Sequence, residues 1–315
     1  MKHFFLTLCL LLGMLSLLGE EVDPDEKKPW FSGTLLSLFP ENTRPGHLLV
    51  QTNWFASRRL GIYNCHSSIA HPLNSHLYSA LLTLETGITQ TIDVTLLSSG
   101  VYAHAAGRDF CHLGDTFVLF GFQILTNKKG TWIPDLRILI GEGFPTGNYQ
   151  RLNPVLRGAD ATGRGVYETT VSLVVRKVFY TWPNHPYNWN FNITAGHSTR
   201  TKVEGVNAFG GNPLTCGTVG PTEDFLMNLA FEYKLNQAWG GGIDFNFFYQ
   251  NSASFQSRTF DIFKAPPSSY LFSLAPMLEY NLSENFGISG GIWFSLKGRN
   301  SLAFMSGVFS IFYEF

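Results

Sequence analysis

Charge is what this chain has least of. Lysine, arginine, aspartate and glutamate make up 14% of its 315 residues, against roughly a quarter in an ordinary soluble domain. The formal net charge is −1, too small to draw in a nucleic acid, so no nucleic-acid partner is expected. Long apolar runs are also missing after the first twenty or so residues. None approaches the roughly twenty residues of a membrane helix, which excludes a helical membrane protein.

At the N-terminus "MKHFFLTLCLLLGMLSLLGEE" has a basic start at Lys2, an apolar stretch from Phe4 to Leu18, then Gly19, Glu20 and Glu21. This is the layout of a secretory signal peptide over residues 1–19, and the run is short for a membrane anchor. Cys9 leaves with it.

Aromatics and glycine are abundant, at 15% of the chain and 31 residues. Combined with low charge and no spanning helix, they describe apolar surface spread over alternating strands. Period-two alternation occurs near 48–56, 77–86, 88–99, 116–126, 133–143, 166–178, 187–197, 224–235, 238–250, 270–281, 285–296 and 301–315. Most of these windows have the nine to thirteen or so residues that a tilted strand needs to cross a bilayer. In "WGGGIDFNFFYQN" one face carries Trp239, Ile243, Phe245, Phe247 and Tyr249, and the other Asp244, Asn246, Phe248 and Gln250. The connections alternate between long (57–76, 100–115, 144–165, 198–223, 251–269) and short (Glu85–Gly87, "TNKKG", "TWPNHP", "NQA", "LSEN"), until the short "KGRN" at 297–300. A soluble sandwich or propeller has no reason to sort its loops by parity, whereas a bacterial barrel keeps short turns in the periplasm and long loops outside. The expectation is an all-β protein: a transmembrane antiparallel up-and-down β-barrel of about 12 strands over 47–315. Residues 20–46 are expected to be a periplasmic segment or a lumen plug. The final strand holds its alternation up to Phe315, and lipid is the cover its apolar face requires.

Three short motifs are more specific. Gly114-Asp115 opens a strand, Pro145-Thr146-Gly147 follows the next, and Gly163-Arg164-Gly165 leads into a third; upstream, Gly46-His47 opens the first strand. In this order they resemble a family of outer-membrane proteins associated with the meta-cleavage pathway of phenol degradation. The resemblance implies a transporter-like barrel in the outer membrane of a Gram-negative bacterium, moving small and often aromatic or apolar compounds, with no catalytic residues. The terminal Phe315 resembles the signal such proteins present to the barrel-insertion machinery. Turn chemistry by itself also accounts for Pro-Thr-Gly.

Other constellations are weaker. Glycines 240–242, 287, 290 and 291 lack the strand-to-helix setting of a phosphate loop. Cys65, Cys111 and Cys216 fall in outer loops and allow at most one disulfide. Cys65-His66 and Cys111-His112, with His71, His76 and His104, supply soft ligands but match no closed metal motif, so no metal or other cofactor is expected. Adjacent residues of a strand point to opposite faces, so His197 cannot serve Ser198 as a base, and no enzyme is expected. If aromatic faces meet lipid, Arg137, Glu168, Arg176, Glu232, Lys234, Asp244, Asn246 and Glu279 face the lumen, with Phe248, Trp293, Phe304 and Phe312 among them. Their mixed sign argues against strong ion selectivity. The expected function is a channel or facilitator for small solutes in contact with outer-membrane lipids. The alternative is a non-conducting barrel whose long outer loops bind a partner.

Overall fold

The computed structural model describes residues 31–70, 75–105, 107–156, 158–180, 185–258 and 266–315. The signal-peptide expectation and most of "TWPNHP" lie outside these residues. Twelve strands form the wall: β1 (Leu48–Tyr63), β2 (Ser75–Gly87), β3 (Ile92–Ala105), β4 (Thr116–Leu125), β5 (Asp135–Phe144), β6 (Glu168–Phe179), β7 (Tyr187–Ser198), β8 (Glu223–Lys234), β9 (Trp239–Gln250), β10 (Ser269–Asn281), β11 (Phe286–Arg299) and β12 (Ser301–Glu314). Each pairs antiparallel with its sequence neighbour, and β12 pairs with β1 from Leu49↔Glu314 to Tyr63↔Ser301. Phe315 completes the seam, its N–H donating to the Leu48 carbonyl at 2.9 Å. Closure leaves no free strand edge in this wall.

The expected strands are all present, but two of the expected long loops are largely strand. β1 runs on to Tyr63, β3 runs on to Ala105, and Arg108–Leu113 folds back onto β3 from Gly100↔Leu113 to Ala105↔Arg108. Alternation becomes hard to see there because both faces stand above the apolar layer. The one short connection on the long-loop side is explained by Asn300, whose φ of 50° makes a tight turn between β11 and β12; asparagine tolerates that conformation.

Burial is inverted relative to a water-soluble protein. Trp54, Phe120, Trp189, Leu229, Ile292 and Phe309 are exposed on the outside, while Asp93, Asp135, Arg137, Asp244, Asn228 and Ser306 are buried inside. Only lipid makes this arrangement favourable, because it solvates the outer face and leaves polar groups to pair within. The protein is a membrane-spanning barrel.

Beyond the bilayer, Thr201–Glu204, Cys216–Val219 and Phe255–Ser257 form a separate three-stranded sheet from two of the long connections.

Candidate channel interior

The short-turn half of the interior is occupied by residues 32–43, which precede β1. Ser32 N–H donates to Glu279 Oε1 at 3.2 Å, on β10. The Thr34 hydroxyl donates to Asp244 Oδ1 at 2.6 Å and Leu36 N–H to Asp244 Oδ2 at 3.3 Å, on β9. Leu35 packs with Ala275, Met277 and Val308. The chain then crosses to the far wall. Leu38 packs beside Leu119, Leu139 and Val174, and its carbonyl accepts from Asn190 at 3.1 Å. Arg137 donates to the carbonyls of Phe39 (2.9 Å) and Glu41 (3.1 Å), and the Glu41 carboxylate pairs with Arg176. Thr43 donates from both N–H and hydroxyl to Glu85 Oε1, at 3.1 and 2.8 Å. In a ring of twelve, β10, which carries Glu279, and β4, which carries Leu119, are six places apart, so these anchors lie on opposite walls.

Six of the eight residues singled out from the sequence come together in this half. Arg137 is buried on Asp93 (2.5 Å) and Glu85 (3.3 Å). Arg176 pairs with Asp135 at 2.8 Å. Lys234 donates to Glu279 at 2.7 Å, and Glu232 accepts from Asn188 at 3.1 Å. Asp244 binds the inner segment. Arg137, Arg176 and Lys234 are thus each paired with a carboxylate, the condition under which buried ions are tolerated, while Glu232 and Asp244 accept hydrogen bonds from neutral groups. Asn246 sits deeper, accepting from Asn228 at 2.9 Å in an uncharged belt that includes Asn192 and Ser273. Glu168 is not part of the cluster: it lies at the long-loop end, where Arg164 contacts it at 3.2 Å and Asp224 at 2.5 Å.

Sequence reasoning missed Glu85, Asp93 and Asp135. Glu85 reads as a turn residue in Glu-Thr-Gly. The available signal was the alternation of Thr83 and Glu85 with Leu82 and Leu84, and of Asp93 and Thr95 with Ile92, Val94 and Leu96.

The three sequence motifs converge at the long-loop end. Asp115 accepts from the N–H groups of Gly147 (2.9 Å) and Arg164 (2.8 Å), and the Thr146 hydroxyl donates to the Gly114 carbonyl at 2.7 Å. A Cβ on Gly147 would stand 2.6 Å from Gly163 Cα, so glycine is required for this approach. The motifs thus fasten β4, β5 and β6 together above the membrane.

Ser198 is buried against Thr222, with its hydroxyl 3.0 Å from Thr222 Oγ1, while His197 is exposed on the other face. The two do not form a nucleophile–base pair. Cys65, Cys111 and Cys216 are unpaired, and no group of three or more metal-binding side chains occurs among the described residues.

No family model and no curated protein matches the chain. Among solved structures, an outer membrane channel from Pseudomonas putida F1 is similar over 94% of this chain and 100% of its own, with a TM-score of 0.63 and 13% identity. The fold is that of an outer-membrane β-barrel. The β-domain of the Bordetella autotransporter BrkA is also similar, over 86% of this chain and 100% of its own, with a TM-score of 0.47 and 9% identity.

Proposed function

We propose that this barrel is an outer-membrane channel or facilitator for small solutes, aromatic or apolar ones included, and that residues 32–43 are its inner plug. One observation carries this reading. A segment outside the wall is fastened across the interior by side-chain and main-chain hydrogen bonds to at least six strands. Hydrogen bonds exchange readily with water, so such a segment can be held and released without opening the wall. The similar Pseudomonas putida protein is itself described as a channel. The uncharged belt and the rings of Phe55, Trp293 and Phe304, with centroids 6.0 and 4.6 Å apart, support a partly apolar solute.

Planar-bilayer recordings test the proposal. The full chain should give brief, small openings, and a chain lacking residues 32–43 larger and longer ones; silence from both would overturn it. A liposome uptake panel of sugars, amino acids and aromatic compounds would then identify the solute class. Silence would favour the partner-binding alternative. That reading is supported by the outer three-stranded sheet and by a groove of about 500 Å³ lined by Arg151, Leu152, Pro213, Leu214 and Thr215.

Phe315 is 64% exposed at the seam, and its ring is available to the barrel-insertion machinery. Phe315→Asp should lower the amount assembled in the membrane, measured by the fraction that runs faster on unheated gels.

A further inference from the structure

The outer face of β1, β2 and β3 carries two rows of side chains that the channel reading leaves unused. The lower row is aromatic: Tyr78 and Tyr102 are direct cross-strand partners with ring centroids 6.1 Å apart, and exposed Trp54 lies beside them on β1. The upper row is basic. Arg58 pairs in register with His76, His76 with His104, and His104 with Asp109. Directly paired residues share a face, so Arg58, His76 and His104 point the same way as Tyr78 and Tyr102.

The height of the upper row locates it. Arg58 lies ten positions from Leu48 at the short-turn end of β1, and His76 ten from Thr86 on β2. A tilted strand crosses the hydrocarbon in about nine to eleven residues. The tyrosine row therefore sits at the interface, where amphipathic rings belong, and the basic row at the level of the outer headgroups. Arg58, His76 and His104 are all exposed, and among the described residues Arg58 and His76 have no ion-pair partner. Adjacent strands are about 4.8 Å apart, so the three span about 10 Å, wider than one phosphate.

Asp109 does not cancel the row. A single oxygen, Oδ1, accepts from His104 Nδ1 at 2.7 Å and from the Tyr102 hydroxyl at 2.8 Å. The carboxylate thereby fixes the imidazole so that Nε2 is the nitrogen left to face outward. The other groups on this face are Tyr78, Tyr102 and Cys111; Arg108 alternates to the opposite side.

We propose that Arg58, His76 and His104 form a binding site for the phosphorylated headgroup of an outer-leaflet lipid, whose acyl chains lie against the face below Trp54, Tyr78 and Tyr102. Continuity with the lipid-facing wall selects a lipid over a soluble anion, and the basic row selects a lipid whose phosphates carry net negative charge over a zwitterionic one. The inference rests on the orientation given above, with the long-loop end outside. It does not depend on conduction, so a silent channel would leave it standing.

Native mass spectrometry of the full chain in detergent tests it. The added lipids are a diphosphorylated glucosamine-based lipid, its dephosphorylated form, and phosphatidylcholine. The diphosphorylated lipid should be retained about tenfold more than the other two, the preference expected of a few exposed charge contacts. The triple variant R58S/H76S/H104S should lose the preference while still running as a folded barrel on unheated gels. Equal retention of all three lipids, or an undiminished preference in the triple variant, would overturn the site. Inorganic phosphate is the competing arm: if it displaces the lipid at comparable concentration, the lipid assignment fails.

Discussion

The hydroxyl of Thr34 donates to Oδ1 of Asp244 at 2.6 Å, joining residues 210 positions apart in sequence. It ties the segment before β1 to the wall at β9. Hydrogen bonds to a charged acceptor contribute about 1.5–3 kcal/mol. Thr34→Val, which keeps the shape of the side chain, should therefore raise the open-to-closed ratio in single-channel recordings about tenfold or more. An unchanged ratio would mean that this tie does not hold the plug.

Arg137 is the hub of the buried charge layer, with Asp93 at 2.5 Å and Glu85 at 3.3 Å. Arg137→Met leaves two carboxylates facing each other without their cation. Removing one partner from a buried ion pair costs about 3–5 kcal/mol, so the urea midpoint for unfolding from vesicles should drop steeply. Adding Asp93→Asn and Glu85→Gln should recover part of the loss. If Arg137→Met unfolded at the wild-type midpoint, the layer would contribute nothing to stability.

Phe245 and its neighbour Asn246 test which way β9 faces. Phe245 lines an apolar hollow on the outer wall with Trp189, Leu229 and Ile243, whereas Asn246 is buried on Asn228. Phe245→Arg should cost about 2–4 kcal/mol of folding into liposomes, the penalty for an outward arginine near the bilayer midplane. Asn246→Ser should cost only about 1 kcal/mol, one neutral hydrogen bond. The reverse ranking would invert the register of the strand.

Asp109, above the membrane, is held below the usual aspartate range by its hydrogen bonds to His104 and then Tyr102. A depressed carboxyl contributes stability above its unfolded value of about 3.9, and that contribution is lost as the pH falls through the lower folded value. Carboxyl NMR should show Asp109 titrating below that reference, and His104→Ala should move the titration back up. A wild-type titration at the reference value would show that the contact does not persist in solution.

Much of this architecture was legible along the chain because a barrel strand carries its instructions locally. Lipid on one side and polar contacts on the other impose a period of two, so β9 and β12 could be delimited to within about a residue from Trp239 to Gln250 and from Ser301 to Phe315. The parity of connection lengths then pointed to a barrel, and pairing of the last strand with the first closes it. Where the local signal fails, the physical cause is identifiable: above the bilayer the two faces of β1 and β3 lose their contrast, and their ends read as loop.

The partnership of inward-facing residues is a different matter. Alternation shows that Arg137, Arg176 and Asp244 point inward, but no local pattern says that Arg137 meets Asp93 and Glu85, or that Asp244 meets Thr34. Those contacts depend on barrel shear, strand number and the path of residues 32–43 across the interior, all set by closure of the whole sheet. Glycines 147 and 163 show the same division. The sequence by itself marks them as places where the chain turns, and only the closed barrel brings their backbones together under Asp115, because that approach requires three strands to stand side by side.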